Sequence, residues 1–324
     1  MQTLSQYREA FLSHLEERIN ATEPENLYAP MHYILGIGGK RLRPILTLMT
    51  ADIFSGDFKE ALDAALAVEV FHNFSLVHDD IMDEAPLRRG HQTVHEKWDL
   101  NTGILSGDAM LIIAYQLFEY YESVKFRDLA MLFSKTAIEV CEGQQYDVDF
   151  ETRDDVTLDA YLKMITYKTA VLVGAAMKMG AIVANASALE ANAIYEFGLN
   201  LGIAFQLQDD YLDTFGDQAT FGKQIGGDII ENKKTYLYLK TMSFISDEEK
   251  VQLQHLFAIK PSNPADKIEQ VKAYFISSGA DVATQEAIEA YTNKAFIALD
   301  KLQIGQDKKE FLMAFGNTLM KRTV

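Results

Sequence analysis

The sequence contains no proline between Pro86 and Pro261, a stretch that covers more than half of the chain. Proline removes a backbone donor and ends or kinks helices, so its absence favours long helices. The sequence also lacks the regular series of alternating strands with Asn-Gly turns that marks a β-rich fold. These patterns predict an all-α protein rather than an α/β or all-β one.

The predicted organisation is one helical domain over residues 1–324, because the sequence shows no composition break and no low-complexity segment. A first amphipathic helix is predicted from apolar residues at helical spacing, namely Leu4, Phe11, Leu15 and Ile19. The small-residue stretch GAAMKMGAIVANASA indicates helices that pack closely within a large bundle. The clearest loop is Lys260–Pro264, and a helical pattern resumes at Asp266.

Three carboxylates follow an apolar run in the segment LVHDDIMDEAPLRR, and two adjacent arginines, Arg88 and Arg89, come after them. If Asp79 lies on a helix, Asp83 lies one turn further on the same face, with Asp80 beside it. Oxygen ligands of this kind select a hard divalent cation, with Mg²⁺ favoured where phosphates complete its shell. An acidic, solvated helix end would have the same composition.

A second copy of this pattern occurs in FQLQDDYLD, which carries Asp209, Asp210 and Asp213 at the same spacing. It again follows apolar residues. Two DDxxD clusters, each at the end of an apolar helical run, indicate a metal-binding function much more strongly than one.

Composition excludes several classes of function. The formal net charge is −17, from 30 basic and 47 acidic residues, which argues against a nucleic-acid-binding protein or a polybasic membrane anchor. The single cysteine, Cys141, permits no internal disulfide and suits a reducing compartment.

The N-terminal segment is polar and amphipathic rather than signal-like, and no stretch is long and apolar enough to span a bilayer. We expect a soluble, cytoplasmic protein.

A basic cluster lies in GIGGKRLRP, with Lys40, Arg41 and Arg43 before a helix predicted to begin at Pro44. Backbone N–H groups and the helix dipole favour an anion at such a position. An ordinary solvated basic turn is the alternative. In an acidic chain with two metal-type clusters, a phosphate site is the better interpretation.

Other candidate residues interrupt apolar helical stretches. His72 lies two helical turns before Asp79, although a lone histidine there is more often a core residue. Lys168 and Thr169 interrupt an apolar helix, and a buried lysine needs an anionic partner, which a phosphate oxygen would supply. Gln206 precedes the second cluster by one turn. Two further cations follow that cluster, Lys223 and Lys233.

Together these motifs resemble those of the trans-isoprenyl diphosphate synthases, the family of farnesyl and geranylgeranyl diphosphate synthases. The resemblance runs from about Gly36 to Thr235. It comprises, in order, GGKRLRP, LVHDDIMD with Arg88–Arg89–Gly90, Gly107–Asp108, Gly143–Gln144 with Asp147, Lys168–Thr169, FQLQDDYLD, Lys223 and Lys233.

The resemblance implies an all-α isoprenoid synthase fold, with both acidic clusters facing one deep central cavity, and a homodimer. It also implies a reaction that joins an allylic diphosphate (dimethylallyl, geranyl or farnesyl) head to tail to isopentenyl diphosphate and releases pyrophosphate. In the family pattern, three Mg²⁺ ions, for which Mn²⁺ can substitute, would be ligated by Asp79, Asp83 and Asp209. Support through water would come from Asp80, Asp210 and Asp213.

The same pattern implies roles for the remaining candidates. The allylic diphosphate would be bound by Arg88, Lys168 and Lys233, with Lys223 nearby. Isopentenyl diphosphate would be held by Lys40, Arg43, His72 and Arg89. The developing allylic cation would be lined by Thr169 and Gln206.

Product length depends, in the family, on residues one to two turns before the first cluster. These positions hold Phe71, Phe74 and Ser75. Phe74 argues against very long products, and Ser75 leaves some room. We therefore expect a twenty-carbon product, geranylgeranyl diphosphate, with the fifteen-carbon farnesyl diphosphate next. The alternative is that Phe74 only packs in the core and other helices form the floor of the tunnel.

Two other functions remain open from the sequence. A class I terpene cyclase would share the fold, but such enzymes usually carry a mixed Asn/Ser/Glu motif in place of the second DDxxD and lack GGKR. A non-catalytic subunit of a heteromeric synthase typically has eroded aspartate clusters, whereas both clusters are complete here.

Overall fold

The computed structural model describes residues 1–216 and 225–321, which are almost entirely helical. The longer helices are α1 (Leu4–Arg18), α2 (Glu25–Gly36), α3 (Leu42–Ser55), α4 (Leu62–Met82), α6 (Leu100–Gln116), α7 (Ser123–Thr152), α8 (Leu158–Ile165), α9 (Val171–Val183), α10 (Ala188–Phe215), α12 (Tyr236–Phe244), α13 (Asp247–Leu256), α14 (Ala265–Ser278), α15 (Ala280–Leu299) and α16 (Gln306–Met320). Single-turn helices are α5 (Val94–Lys97) and α11 (Gly227–Ile230). Short 3₁₀ segments are Phe58–Ala61 and Leu117–Tyr120, and a π-helical segment is Thr166–Ala170. Strands β1 (Leu87–Arg88) and β2 (His91–Gln92) form an antiparallel hairpin.

The chain divides into two compact units, which are residues 1–136 with 175–195, and residues 137–174 with 196–324. Helices α7, α9 and α10 contribute residues to both units. The prediction of an all-α protein is confirmed. The prediction of a single domain stays a prediction.

Helix α4 is the central helix of the first unit. Its residues from Ala64 to Phe71 are almost completely inaccessible to solvent on every face, and the helix packs against α3 and α6. Apart from Glu69, this segment carries only apolar side chains on every face, which is typical of a helix in the core. The last turns of α4 are therefore held in a fixed position, and these turns carry the first acidic cluster.

Two apolar clusters hold the second unit together. One packs α10 against α8, the π-helical segment and α15, through side chains such as Tyr161, Leu207 and Ile288. The other surrounds α12 and includes Leu237, Leu253 and Phe275. The second acidic cluster lies on α10, so its position is determined by the first of these clusters.

The predicted close packing of small residues occurs within both units. A Cβ atom added at Gly180 of α9 would lie 2.2 Å from the carbonyl oxygen of Thr47 on α3. In the second unit, a Cβ at Gly202 of α10 would lie 2.8 Å from the Cα of Ala170. Neither neighbour can move aside easily, because both contacts are to backbone atoms. These glycines allow the helices to approach more closely than any side chain would permit.

Two helix starts test the sequence predictions. Helix α1 begins after Thr3, whose side chain accepts the N–H of Gln6 while the Gln6 side chain accepts the N–H of Thr3, which forms a capping box. The predicted start of α3 at Pro44 is wrong by two residues, because the helix begins at Leu42. Proline is tolerated there, since the N–H groups of the first turn have no partner within the helix.

Asp63, in the first turn of α4, ties α1 to the core. Its carboxylate accepts from His14 Nε2 at 2.8 Å and from Arg18 Nε and a terminal nitrogen at 3.0 Å each. Burial opposes the charge of Asp63, but the hydrogen bonds from His14 and Arg18 outweigh it and hold the pKa of this carboxyl below its usual value.

Because the pKa of Asp63 is lower in the folded chain, its contribution to stability is complete above the unfolded-state pKa and is lost as pH falls through the folded one. We expect Asp63→Asn to lower the free energy of unfolding at pH 7 by about 1 kcal/mol, since solvent partly screens these bonds. The difference from wild type should shrink below about pH 4. Urea unfolding at both pH values measures it. A difference that persisted unchanged in acid would contradict this account.

None of the helices in residues 1–216 and 225–321 has the length and apolar character needed to cross a membrane.

Candidate active site

The first acidic cluster lies at the C-terminal end of α4, in the first unit. The N–H of Asp83 donates to the carbonyl of Asp79 at 2.9 Å, so the helical turn continues through the cluster. Asp79 and Asp83 therefore share one face, as their spacing predicts. Asp80 points elsewhere, and its side chain is only 1% exposed.

Arg88, on the hairpin that follows, binds this cluster. Its Nε lies 2.8 Å from both carboxylate oxygens of Asp80, and a terminal nitrogen lies 3.3 Å from Asp79. Burial raises the pKa of Asp80, and pairing with Arg88 counteracts only part of this rise. Arg88 and Asp80 thus form a buried pair that fixes the hairpin next to Asp79.

Arg89 contacts a different segment from its neighbour. Its guanidinium donates to the carbonyl of Gly38 in the loop before α3. Gly38 and Gly39 both have positive φ, and a Cβ at Gly39 would lie 2.6 Å from the Arg89 guanidinium. Glycine adopts the positive φ of both positions without strain, and Gly39 also leaves room for the Arg89 guanidinium.

The structure separates Arg41 from its two basic neighbours. Arg41 is buried and pairs with Glu69, so it does not serve as the predicted anion contact at the helix start. Arg43, on the first turn of α3, has its terminal nitrogen 3.2 Å from Nε2 of His72 on α4. Lys40 is exposed in the preceding loop.

His72 is surrounded by positive charge. Its pKa lies well below its usual range, first because of burial and then because of the positive charges of Arg43, Arg89, Arg88 and Arg41. A neutral imidazole therefore lies among several cations. Such a concentration of positive charge, formed by the loop before α3, α4 and the hairpin, is suited to an anion with more than one negative charge.

The residues that the sequence assigns to product length lie on α4 and belong to an aromatic cluster. Phe71 is 1% exposed and Phe74 is 9% exposed, with ring centroids 5.5 Å apart. Phe71 also packs edge-on against Phe133 of α7, and Phe74 against the imidazole of His78. The Ser75 hydroxyl donates to the carbonyl of His72 at 2.8 Å.

The second acidic cluster lies on α10, in the second unit. Asp210 is 7% exposed and accepts hydrogen bonds from the Tyr161 hydroxyl and, at 2.9 Å, from Gln206 Nε2. Asp213 accepts the backbone N–H of Asp228 at 3.0 Å. The middle aspartate is therefore held by protein groups in both clusters.

Lys168 and Thr169 lie in the π-helical segment 166–170. Such a segment offsets the backbone by one residue and is often found at functional sites. Lys168 Nζ lies 2.5 Å from Asp147 of α7, and the Thr169 hydroxyl donates to Gln206 Oε1 at 3.2 Å. A Cβ at Gly143 would lie 2.2 Å from the backbone nitrogen of Lys168, so this glycine lets α7 approach the segment.

Of the two lysines predicted after the second cluster, the structure describes only Lys233. Lys233 pairs with Glu231 at 2.9 Å; burial lowers its pKa, but the carboxylates of Asp228 and Glu231 raise it by more. Lys233 is therefore fully charged. Lys223 lies outside the described residues.

The contacts of three residues at the site were not predicted from the sequence. Tyr161 gave no signal beyond its helical spacing. Asp147 belonged to a motif, but the structure now identifies it as the carboxylate partner of Lys168, a role the sequence analysis gave to a phosphate oxygen. Asp228 lies next to the second cluster, and its pKa is raised by burial and by the charges of Asp210 and Asp213.

The donor chemistry of both clusters fits a hard divalent cation, because all candidate ligands are carboxylate oxygens. Within the described residues, no group of three His, Cys, Asp or Glu side chains forms a ready-made metal site. Mg²⁺ commonly takes only one or two carboxylates and fills its remaining positions with water and phosphate oxygens. The clusters therefore fit Mg²⁺ that binds together with a diphosphate.

Comparison with known proteins decides the family. The sequence model of the polyprenyl synthetases matches residues 24–275. The chain belongs to the polyprenyl synthetase family. It is 42% identical over 227 residues to a geranylgeranyl diphosphate synthase of Methanosarcina mazei, which covers 69% of this chain and 70% of the relative. It is 35% identical over 308 residues to a geranylfarnesyl diphosphate synthase of Natronomonas pharaonis, covering 90% and 89%.

The structural comparison agrees with this assignment. A crystal structure of a geranylgeranyl pyrophosphate synthase superposes with a TM-score of 0.96 at 55% identity and covers 99% of both chains. The predicted isoprenoid synthase fold and the resemblance to prenyl synthases are confirmed. Neither the terpene cyclase nor the non-catalytic subunit is favoured. The chain is a prenyltransferase, as predicted, and its family uses a divalent metal ion. That both clusters face one cavity stays a prediction.

Proposed function

We propose that this polyprenyl synthetase joins an allylic diphosphate to isopentenyl diphosphate, head to tail, and releases pyrophosphate. The observation that carries the proposal is the presence of two complete DDxxD clusters, each accompanied by a fixed cation. Arg88 lies at the first cluster. Lys168 lies on the segment that bonds to the second through Thr169 and Gln206.

The first step is cleavage of the bond between C1 and the diphosphate oxygen of the allylic substrate. Negative charge grows on the leaving diphosphate, so cations placed there lower the barrier. We assign this role to Arg88, Lys168 and Lys233. Mg²⁺ bound by Asp79, Asp83 and Asp209 would neutralise further charge on the diphosphate. We propose three Mg²⁺ ions, for which Mn²⁺ can substitute.

The middle aspartates would act through their neighbours rather than directly on the metal. Asp80 is occupied by Arg88, and Asp210 is occupied by Tyr161 and Gln206. Each pair orients a side chain that we assign to substrate. Asp213, which accepts the N–H of Asp228, would support bound metal through water.

The allylic carbocation would be stabilised by dipoles rather than by a full negative charge. The Thr169 hydroxyl donates a hydrogen bond to Gln206 Oε1, so the lone pairs of Thr169 Oγ1 remain available to face a cation. Gln206 is in turn oriented by its bond to Asp210. The apolar surroundings of α8 and α10 would keep water away from the cation.

Isopentenyl diphosphate would be bound in the first unit by three cations and one neutral imidazole, namely Lys40, Arg43, Arg89 and His72, which we call the cationic group. The double bond of isopentenyl diphosphate attacks C1 of the allylic cation and forms the new carbon–carbon bond. The resulting cation loses a proton to the departing pyrophosphate, which restores a double bond. No described side chain is required as a base in this scheme.

For the product we propose twenty carbons, geranylgeranyl diphosphate, with fifteen carbons as the next candidate. Phe74 would form the floor under the growing chain, with Phe71 behind it and Ser75 leaving room beside it. The packing of Phe74 between Phe71 and His78 supports this, because the ring is held on both sides.

We expect Phe74→Ala to lengthen the product by at least one isoprene unit, because removal of the ring opens space beneath the tunnel. Incubation with isopentenyl and farnesyl diphosphates, followed by chromatography of the dephosphorylated products, measures chain length. Phe126→Ala, which removes a partly exposed ring from α7, is the matched control. An unchanged distribution in Phe74→Ala would place the floor elsewhere.

We also propose that the protein is a homodimer. Leu105 and Ile112 of α6, and Val124 and Met131 of α7, are each seven residues apart and 58–66% exposed. Residues at this spacing form one stripe along a helix, and large exposed apolar stripes mark interaction surfaces. Sedimentation analysis tests this, and a single-chain mass at micromolar concentration would contradict it.

We also propose a cytoplasmic location, because a chain with the single cysteine Cys141 forms no internal disulfide and suits a reducing compartment.

The test of the function is pyrophosphate release, followed with an enzyme-coupled assay. We expect release only when an allylic diphosphate, isopentenyl diphosphate and Mg²⁺ are all present, and we expect EDTA to abolish it. Release from the allylic diphosphate alone would indicate a cyclase or a hydrolase instead.

A further inference from the structure

The loop before α3 contains a non-glycine residue in a left-handed backbone conformation. Arg41 has φ 49° and ψ 38°, a region that costs free energy for any residue with a Cβ. The chain places glycines at two nearby positive-φ positions, Gly38 and Gly39, but an arginine here. Four other described non-glycine residues also have positive φ, so Arg41 is distinguished by what its side chain contacts.

That side chain belongs to a buried polar network. One terminal nitrogen of Arg41 donates to Glu69 and the other to the carbonyl of Leu35, at the end of α2. The Arg41 and Glu69 side chains are 3% and 4% exposed. Asn73, which is 1% exposed, donates to the carbonyl oxygen of Glu69 at 2.8 Å and to its carboxylate at 3.1 Å. We call Arg41, Glu69 and Asn73 the buried network.

Stability alone does not account for such a network. The desolvation of two buried charges offsets much of the free energy that their attraction provides. Apolar side chains of similar volume often stabilise a core as well or better. A buried ion pair favours the geometry that brings its two charges together, because separating them would leave each charge unpaired in the core. Both terminal nitrogens of Arg41 are bonded in this arrangement, although its Nε and Asn73 Oδ1 have no partner among the described residues. The buried network joins the end of α2, the start of α3 and the middle of α4.

The residues joined in this way flank the cationic group of the first unit. Lys40 precedes Arg41 directly, and Arg43 follows it by two residues. On α4, His72 precedes Asn73 directly. The contact of 3.2 Å between Arg43 and His72 thus lies next to the buried network on both helices.

We propose that Arg41, Glu69 and Asn73 are positioning residues, whose network holds Lys40, Arg43 and His72 in place for a diphosphate before that ligand arrives. The proposal rests on the proposed function only for the identity of the ligand, isopentenyl diphosphate. Mutual repulsion would otherwise drive the cationic side chains of Lys40 and Arg43 apart when no anion is bound. The network fixes the backbone on both sides of them and so lowers the cost of binding.

The test removes both charges together, so that no buried charge is left without a partner. The double variant Arg41→Met/Glu69→Leu should stay folded, as judged by circular dichroism and thermal unfolding. We expect its KM for isopentenyl diphosphate to rise on the order of 10-fold to 10²-fold, which is the effect of losing one hydrogen bond to a charged group. The KM for the allylic diphosphate and kcat at saturation should stay unchanged.

The matched control is Arg18→Met/Asp63→Leu, which removes another ion pair of the first unit, between the last turn of α1 and the first turn of α4. It should leave both KM values unchanged. If the first double variant does not fold, Arg41→Gly/Glu69→Gln replaces it, because glycine adopts positive φ without strain and glutamine leaves no charge.

Calorimetry separates this proposal from the proposed function. Isopentenyl diphosphate and inorganic pyrophosphate are titrated in EDTA into wild type and variant, so that binding reports on side chains without metal. Weaker binding to the folded variant, with binding to the control variant unchanged, supports positioning. Equal binding to wild type and variant, or an equal rise of both KM values, would overturn it. Wild-type binding without turnover would refute the proposed function and leave the positioning comparison valid.

Discussion

Asp79→Ala is expected to lower kcat/KM by on the order of 10²–10³, while the fold stays intact. Asp79 is the carboxylate of the first cluster that shares a helix face with Asp83 and also contacts Arg88. Its loss would remove a proposed metal ligand and one of the two carboxylates that pair with Arg88 among the described residues. Steady-state rates at saturating Mg²⁺ measure the effect, and circular dichroism verifies the fold. Asp209→Ala should behave in the same way at the second cluster.

The control for charge alone is Asp128→Ala. Asp128 is an exposed carboxylate on α7 that pairs with Arg127 at 2.9 Å on the surface. Such surface pairs contribute little, so activity and stability should both stay near wild type. Full activity of Asp79→Ala, with Asp128→Ala also fully active, would refute the assignment of Asp79 to metal.

Lys168→Gln is expected to lower kcat/KM by a similar factor, on the order of 10²–10³, because we propose that the Lys168 cation stabilises the leaving diphosphate in the transition state. The lysine is held at 2.5 Å by Asp147 and lies on the π-helical segment next to Thr169. Glutamine keeps hydrogen-bonding ability without the charge, so the loss reports on electrostatics rather than packing. The rate of pyrophosphate release measures it.

Lys163→Gln is the matched control on α8, since Lys163 is an exposed lysine that donates to the Tyr146 hydroxyl at 3.0 Å. We expect wild-type rates from it. If Lys168→Gln were as active as Lys163→Gln, the cation on the leaving diphosphate would have to be another residue.

Local pattern was enough to predict the all-α class and both acidic clusters. Asp79 and Asp83 share a helix face because a helix repeats every 3.6 residues, and the same holds for Asp209 and Asp213. The proline-free stretch correctly indicated long helices. The proximity of Arg43 and His72, which are 29 residues apart, could not be derived from local pattern, and only the family resemblance placed them in one site.

The polar partners of the site were not predictable, because they depend on how distant helices pack. Lys168 pairs with Asp147, which is 21 residues away in the sequence, and Tyr161 bonds to Asp210, which is 49 residues away. The two partners of each pair lie on different helical segments, so the spacing within one helix does not predict them. Arg41 looked like a third anion-binding cation, yet its burial depends on Glu69, 28 residues away.

The measurement that tests the central claim most directly is an analysis of products. The protein is incubated with isopentenyl diphosphate and each of the five-, ten- and fifteen-carbon allylic diphosphates, with and without Mg²⁺, and chain lengths are resolved by mass spectrometry. We predict Mg²⁺-dependent elongation that stops at twenty carbons. Elongation that stops at fifteen carbons would support the proposed reaction but contradict the proposed position of the tunnel floor. No elongation from any primer, by protein that is folded, would contradict the account.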